Sequence, residues 1–214
     1  MHALQKAVSG RQNVTVFGMD IADLDWNSAL ARAETLASTR VGSATLAFVD
    51  ESRLVAALFA SSATAMLRQR SLLLSTGGIL VRLLLRAMGG KGAFQARFPA
   101  DLFVSALITY LPGHRRIAIA GTDTARIDAL TAHFARHAPW HDVMPFSSAG
   151  NLSGRFDILI VDAVDRMAER RVMEQIAGAD ASLVILAGSG LSRYVNGNPA
   201  SVEPPKQIST PAAA

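Results

Sequence analysis

The chain has 214 residues, half of them hydrophobic, which is enough apolar material for a sizeable core and favours an ordered globule over disorder. It has no cysteine, which excludes disulfides, Cys-ligated zinc and thiol catalysis and fits a reducing compartment. The 21 Lys and Arg exceed the 17 Asp and Glu by only four and are scattered, as in Arg68/Arg70, Arg115/Arg116 and Arg170/Arg171. With two Trp and two Tyr for base stacking, this argues against nucleic acid and suits an anionic small ligand or an acidic membrane face.

Strand and helix signals alternate along most of the chain. Asn13 to Phe17 is β-prone and leads into Asp-rich turn residues up to Asp25. Trp26 to Ser38 has apolar residues at helical spacing, with Asp25 as a suitable N-cap. Ala44 to Val49 reads as a buried strand and Ser52 to Leu67 as a helix. Leu72 to Leu74, the turn Ser75-Thr76-Gly77-Gly78 and Ile79 to Met88 read as strand, turn and helix. The last of these carries two arginines and is too short to span a bilayer. Ala100 to Leu111 is a further helix, stopped by Pro112-Gly113.

In the second half, Arg116 to Ala120 is a strand running through Gly121-Thr122-Asp123 into a helix from Thr124 to His137, whose apolar face is Ile127, Leu130 and Phe134. His141 to Met144 reads as a short strand, Phe156 to Val161 as a strand ending at Asp162, Arg166 to Ile176 as a helix, and Ser182 to Leu186 as a strand ending in Ala-Gly-Ser-Gly190. Apolar strands that each lead into a helix imply an α/β fold, a Rossmann-like, mostly parallel sheet with helices on both faces. The expected organisation is one domain over 1–197 and a disordered Pro/Ser/Ala-rich tail over 198–214. The N-terminal region lacks a long apolar core before a small-residue cleavage site, so the expected location is cytoplasmic.

In such a sheet, ligands bind beyond the carboxyl ends of the strands. Four strand ends carry polar or Gly-rich residues: Val49-Asp50-Glu51, Ser75 to Gly78, Gly121-Thr122-Asp123 and Gly188-Ser189-Gly190. Gly77 and Gly78 permit positive φ and close approach of a ligand, and the helix start beyond them favours negative charge such as a diphosphate. Neither Gly121-Thr122-Asp123 nor Gly188-Ser189-Gly190 completes a dinucleotide fingerprint. His133 and His137 share a helix face without the Glu of a zinc hydrolase, which reads as a solvated face and not a metal site. No Gly-x-Ser-x-Gly elbow is present, which disfavours a hydrolase.

Taken in order, the segments Val14-Thr-Val-Phe-Gly-Met-Asp-Ile-Ala-Asp-Leu24, Thr45 to Leu54, Gly77-Gly-Ile-Leu-Val-Arg through Gly90, Arg97-Phe-Pro-Ala-Asp-Leu102 and Arg116 to Leu130 resemble the WecG/TagA/CpsF glycosyltransferase family over roughly residues 14–197. The resemblance implies transfer of a sugar from a nucleotide-sugar donor to a lipid-diphosphate-linked saccharide acceptor, no cofactor, and peripheral contact with the inner face of a membrane. The family's proposed catalytic Asp falls on Gly77, its Asn on Asp50, and its Gly-x-Pro-x-Gln-Glu motif on Ala163 to Glu169. A replacement base is therefore needed, with Asp50 first and Asp101 second; each reads equally as the cap of the helix it precedes or opens. Arg97 is the expected stabiliser of the departing diphosphate. Thr76 supplies a hydroxyl or serves the turn, and Gly77, Gly78, Gly121 and Gly188 complete the expected binding set. The alternative is a catalytically degenerate relative that binds a nucleotide sugar or a partner glycosyltransferase without turnover.

Overall fold

The computed structural model describes residues 13–39, 42–59, 71–78, 81, 83, 96–146 and 155–195. The strands are β1 (Asn13–Val16), β2 (Met19–Ala22), β3 (Ala44–Val49), β4 (Leu72–Ser75), β5 (Arg116–Ala120), β6 (Asp142–Pro145), β7 (Phe156–Asp162) and β8 (Ala181–Gly188). They form one sheet in the order β1-β2-β4-β3-β8-β7-β5-β6. Among the described residues only the β1/β2 pair is antiparallel, and every other pairing is parallel. The helices are α1 (Trp26–Ser38), α2 (Glu51–Phe59), α3 (Ala100–Tyr110), α4 (Thr124–His137), α5 (Arg166–Gln175) and the single turn α6 (Ser192–Val195), which follows a 3₁₀ turn at Ser189–Leu191.

Alternation along the strands splits the core into two layers. Leu46, Phe48, Leu183 and Ile185 pack with α1, α3 and α4 through Leu30, Phe103, Leu107, Leu130 and Phe134. Ala47, Val49, Val184 and Leu186 pack with α2 and α5 through Leu54 and Val172. The α/β expectation therefore holds, helices covering both faces of a mostly parallel sheet. Side-chain caps start four of these helices: Asp25 accepts from Ser28 N at 2.9 Å, Asp50 from Arg53 N at 2.8 Å, Asp123 from Arg126 N at 3.2 Å and Asp165 from Ala168 N at 2.8 Å.

Four local expectations change. The Asp-rich turn after β1 is instead the second arm of a hairpin, with Phe17 (φ 50°) and Gly18 (φ 76°) both in the left-handed region that two-residue hairpins require. Strand β8 extends beyond Leu186 to Gly188, followed by the 3₁₀ turn and α6. Asp101 does not cap α3; the N-cap is Pro99, with no side-chain bond. The face that His133 shares with His137 is solvated only in part: His137 is exposed, whereas His133 is half-buried, its ring stacked on Tyr194 at 4.1 Å between centroids. Of the helix expected over Ile79 to Met88, Val81 and Leu83 are described and helical; Arg82, Arg86, the remainder of the helix expected to reach Leu67 beyond Phe59, and the 198–214 tail lie outside the described residues.

Two half-buried to buried histidines give the fold a pH dependence. Burial, reinforced by His137 and Arg136, pushes the His133 imidazole below its ordinary 6.5. His141 is lowered first by burial, against the opposing pull of its bond to the Ile108 carbonyl. Its Nδ1 accepts from Arg115 N at 3.2 Å and its Nε2 donates to Ile108 O at 2.8 Å, the pattern of a neutral ring. A depressed folded-state value means that the unfolded chain binds more protons, so this stability is present above about pH 6.5 and is lost as pH falls toward the folded values. Urea midpoints are expected to drop between about pH 7 and pH 5. The drop is expected to shrink in His133→Phe; an unchanged drop would remove His133 as a contributor.

Candidate functional site

Strand β3 feeds α2 on one face of the sheet, whereas its neighbour β8 feeds α6, whose Tyr194 and Val195 pack on the opposite face. Adjacent parallel strands whose continuations part in this way open a crevice at their carboxyl ends. A cleft of about 220 Å³ lies there, lined by Asp50, Arg53, Thr76, Asp101, Gly188 and Ser189 together with Phe48, Pro99, Ala100, Ala187 and Gly190.

Each wall has a local cause. Asp50 follows the last residue of β3 and caps α2: its Oδ1 accepts from Ser52 Oγ and from Arg53 N, both at 2.8 Å. Both bonds use the same oxygen, so Oδ2 has no partner among the described residues. Thr76 is tied beside it, its backbone N donating to Val49 O at 3.1 Å and its hydroxyl to the same oxygen at 3.3 Å. Phe98 N donates to Ser75 O at 3.0 Å, which draws Pro99 and the start of α3 alongside the end of β4. The 3₁₀ turn closes the far side. Gly188 sits at φ +59°, and a Cβ on Gly190 would lie 2.6 Å from that of Ala100, so this approach of β8 to α3 requires glycine.

The charges in the cleft are largely compensated. The Asp101 carboxylate is buried and pairs with Arg193 at 3.2 Å, and Tyr194 OH donates to Asp101 O at 3.0 Å. Ser105 lies 2.8 Å from the same phenol, whose ionisation is pushed up by burial. The Arg53 guanidinium, largely buried, pairs with Glu169 on α5. Arg166 Nη2 donates to Ser52 O at 3.2 Å, so α5 braces the first turn of α2 twice.

The expected site residues separate into three groups. Asp50, Thr76, Asp101 and Gly188 line one cleft. Gly77, Gly78 and Arg97 flank it. Gly77 is at φ +83°, and a Cβ there would meet Arg97 Cγ at 2.3 Å, so the exposed Arg97 lays its stem over Gly77 and does not line the cleft. A Cβ on Gly78 would meet Glu51 Oε1 at 2.6 Å. Gly121 stands apart, because β8 and β7 separate β5 from β3. Its end of the sheet is filled by Asp162, whose Oδ1 accepts from Arg126 Nη2 at 2.9 Å; that nitrogen also donates to Ser192 Oγ at 3.1 Å. The Asp162 bonds hold the Arg126 guanidinium above its ordinary value.

Arg53 and Ser189 were not among the expected site residues. Arg53 had a legible signal: with Asp50 as N-cap, residue 53 falls in the first turn, over the same strand end. Ser189 had none beyond its place between two glycines. Among the described residues there is no group of three or more acidic or His side chains placed to hold a metal ion, and no helix long and apolar enough to cross a membrane.

The fold and cleft define a doubly wound α/β protein with a crevice at the carboxyl edge of its sheet. No protein-family model matches the chain, and no curated protein sequence matches it.

Proposed function

We propose that the protein is a glycosyltransferase-like protein of polysaccharide or cell-envelope biosynthesis, which binds a nucleotide sugar at the carboxyl-edge cleft and transfers the sugar to a lipid-diphosphate-linked acceptor. The observation that carries this reading is the convergence of Asp50, Thr76, Asp101 and Gly188, from four separate stretches of chain, on one cleft. In the reaction, the acceptor oxygen bonds to the anomeric carbon as the bond from that carbon to the diphosphate oxygen breaks. The acceptor proton passes to a base, and the diphosphate leaves with the electron pair. Asp50 suits the base, because capping α2 occupies Oδ1 alone. Asp101 suits it less, because its carboxylate is engaged by Arg193; it serves better to receive hydrogen bonds from sugar hydroxyls.

Size limits what enters. The cleft's roughly 220 Å³ falls below the ~300–1,000 Å³ of pockets that enclose drug-sized ligands. It suits a sugar ring with its adjoining phosphate and leaves the nucleoside outside. One observation favours the non-catalytic alternative, binding without turnover. Position 77, where the resemblance places an acid, has left-handed backbone and is overlaid by Arg97, so a carboxylate there would be strained and crowded.

Calorimetry with UDP and several UDP-sugars, paired with a transfer assay on a lipid-diphosphate saccharide, tests the reading. Binding with transfer supports the enzyme. Binding without transfer supports the degenerate relative, and failure to bind any nucleotide overturns the enzyme and leaves only the role of binding a partner glycosyltransferase.

A further inference from the structure

Resting on the nucleotide-sugar reading for its ligand, we infer that Arg53, and not Arg97, is the residue that receives the donor's phosphate oxygens. Arg53 lines the cleft, its side chain is 12% exposed, and its Nη2 lies 3.6 Å from where a Cβ of Gly188 would stand. Gly188, which has no side chain, therefore places nothing between the guanidinium and the end of β8. A guanidinium has five N–H donors, and among the described residues Glu169 is the one side chain that the Arg53 guanidinium donates to. A desolvated donor fork with unused N–H groups, directed by a carboxylate behind it, is suited to the paired oxygens of a phosphate.

The surroundings agree in sign and position. Ala100 and Asp101 open α3 at the same cleft, and that helix starts without a side-chain cap, so its first N–H groups add to the positive end there. Asp101, which would oppose an anion, is neutralised by Arg193, and Asp50 is partly offset by the start of α2 that it caps. Arg97 lacks these advantages: it is exposed, and a water-screened cation contributes less than a buried one. With Arg53 three residues after Asp50, one turn of α2 brings to the cleft both the base and the group that steadies the leaving diphosphate.

The test is titration of the full chain and its variants with inorganic pyrophosphate and, separately, with UDP, with circular dichroism to confirm folding. Arg53→Met is expected to weaken both ligands by about tenfold or more, the scale of a lost charge-assisted hydrogen bond. Arg97→Met is expected to change either by no more than about twofold, as for a screened surface charge. Arg53→Lys keeps a cation for Glu169 and loses the fork; an intermediate loss in this variant supports the inference and decides the matter if Arg53→Met does not fold. Equal losses at 53 and 97, or none at 53, overturn the inference while leaving the nucleotide-sugar reading in place. Pyrophosphate binding that depends on Arg53, without any binding of UDP or UDP-sugars, supports the inference and overturns that reading. Failure of the unaltered chain to bind either ligand overturns both.

Discussion

Replacing Phe103 with alanine is expected to cost about 3–5 kcal/mol of stability, the range for removing a fully buried phenyl ring from a close-packed core. Phe103 is fully buried on α3, and its ring meets three others edge-on: Trp26 at 5.5 Å, Phe48 at 5.8 Å and Phe98 at 5.7 Å. These rings come from α1, β3 and the segment before α3, so the void could close only by moving three elements against one another. The damage reaches the cleft, because Phe48 lines it and Phe98 N holds the approach to α3 through Ser75 O. Phe103→Leu keeps most of the volume and is expected to cost less than half as much, at about 1–1.5 kcal/mol. Urea unfolding of the two variants measures this; a Phe103→Ala loss under about 1 kcal/mol would mean that the aromatic cluster is not central to the core.

The elements most legible in the sequence are those with a capping residue and an uninterrupted apolar period. Helix α4 is the clearest: Asp123 caps it, and Ile127, Leu130 and Phe134 are its buried face. Helix α1 shows the same agreement between Asp25 and the buried Leu30, Ala33 and Ala37. Strand β2 was hidden because its hairpin turn is Phe17-Gly18, and a Phe at positive φ lacks the Asn-Gly or Asp-Gly signal that marks such turns. The turn and short helix after β8 were hidden for another reason. A one-turn helix has no apolar period to read, and tertiary contacts hold it in place: Ser192 to Arg126, Arg193 to Asp101 and the Tyr194 ring on His133.

Strand order is the least legible property, and the candidate site depends on it. Local spacing predicts strand ends of similar character at Asp50, Ser75, Gly121 and Gly188. Only the insertion of β8 between β3 and β7 decides that Gly188 joins Asp50 and that Gly121 does not. That insertion is a crossover from the far half of the sheet, set by which apolar faces pack together and not by any short motif.

On the proposed reaction, Asp50→Asn is expected to lower the transfer rate by about a hundredfold to ten-thousandfold, the contribution of a positioned general base. The substitution separates chemistry from folding unusually well. Asparagine caps helices about as well as aspartate, and its amide oxygen can take the bonds from Ser52 Oγ and Arg53 N that Asp50 Oδ1 takes now. The start of α2 and the placement of Arg53 should therefore survive, with nucleotide affinity within about threefold and stability within about 0.5 kcal/mol of the parent. Asp50→Ala loses the cap as well and is expected to cost about 1 kcal/mol in addition to the rate. If Asp50→Asn transfers sugar at nearly the parental rate, the carboxylate is a cap and nothing more. The buried Asp101 would then have to be freed from Arg193 to act as base, and Arg193→Ala should raise the rate in place of lowering it.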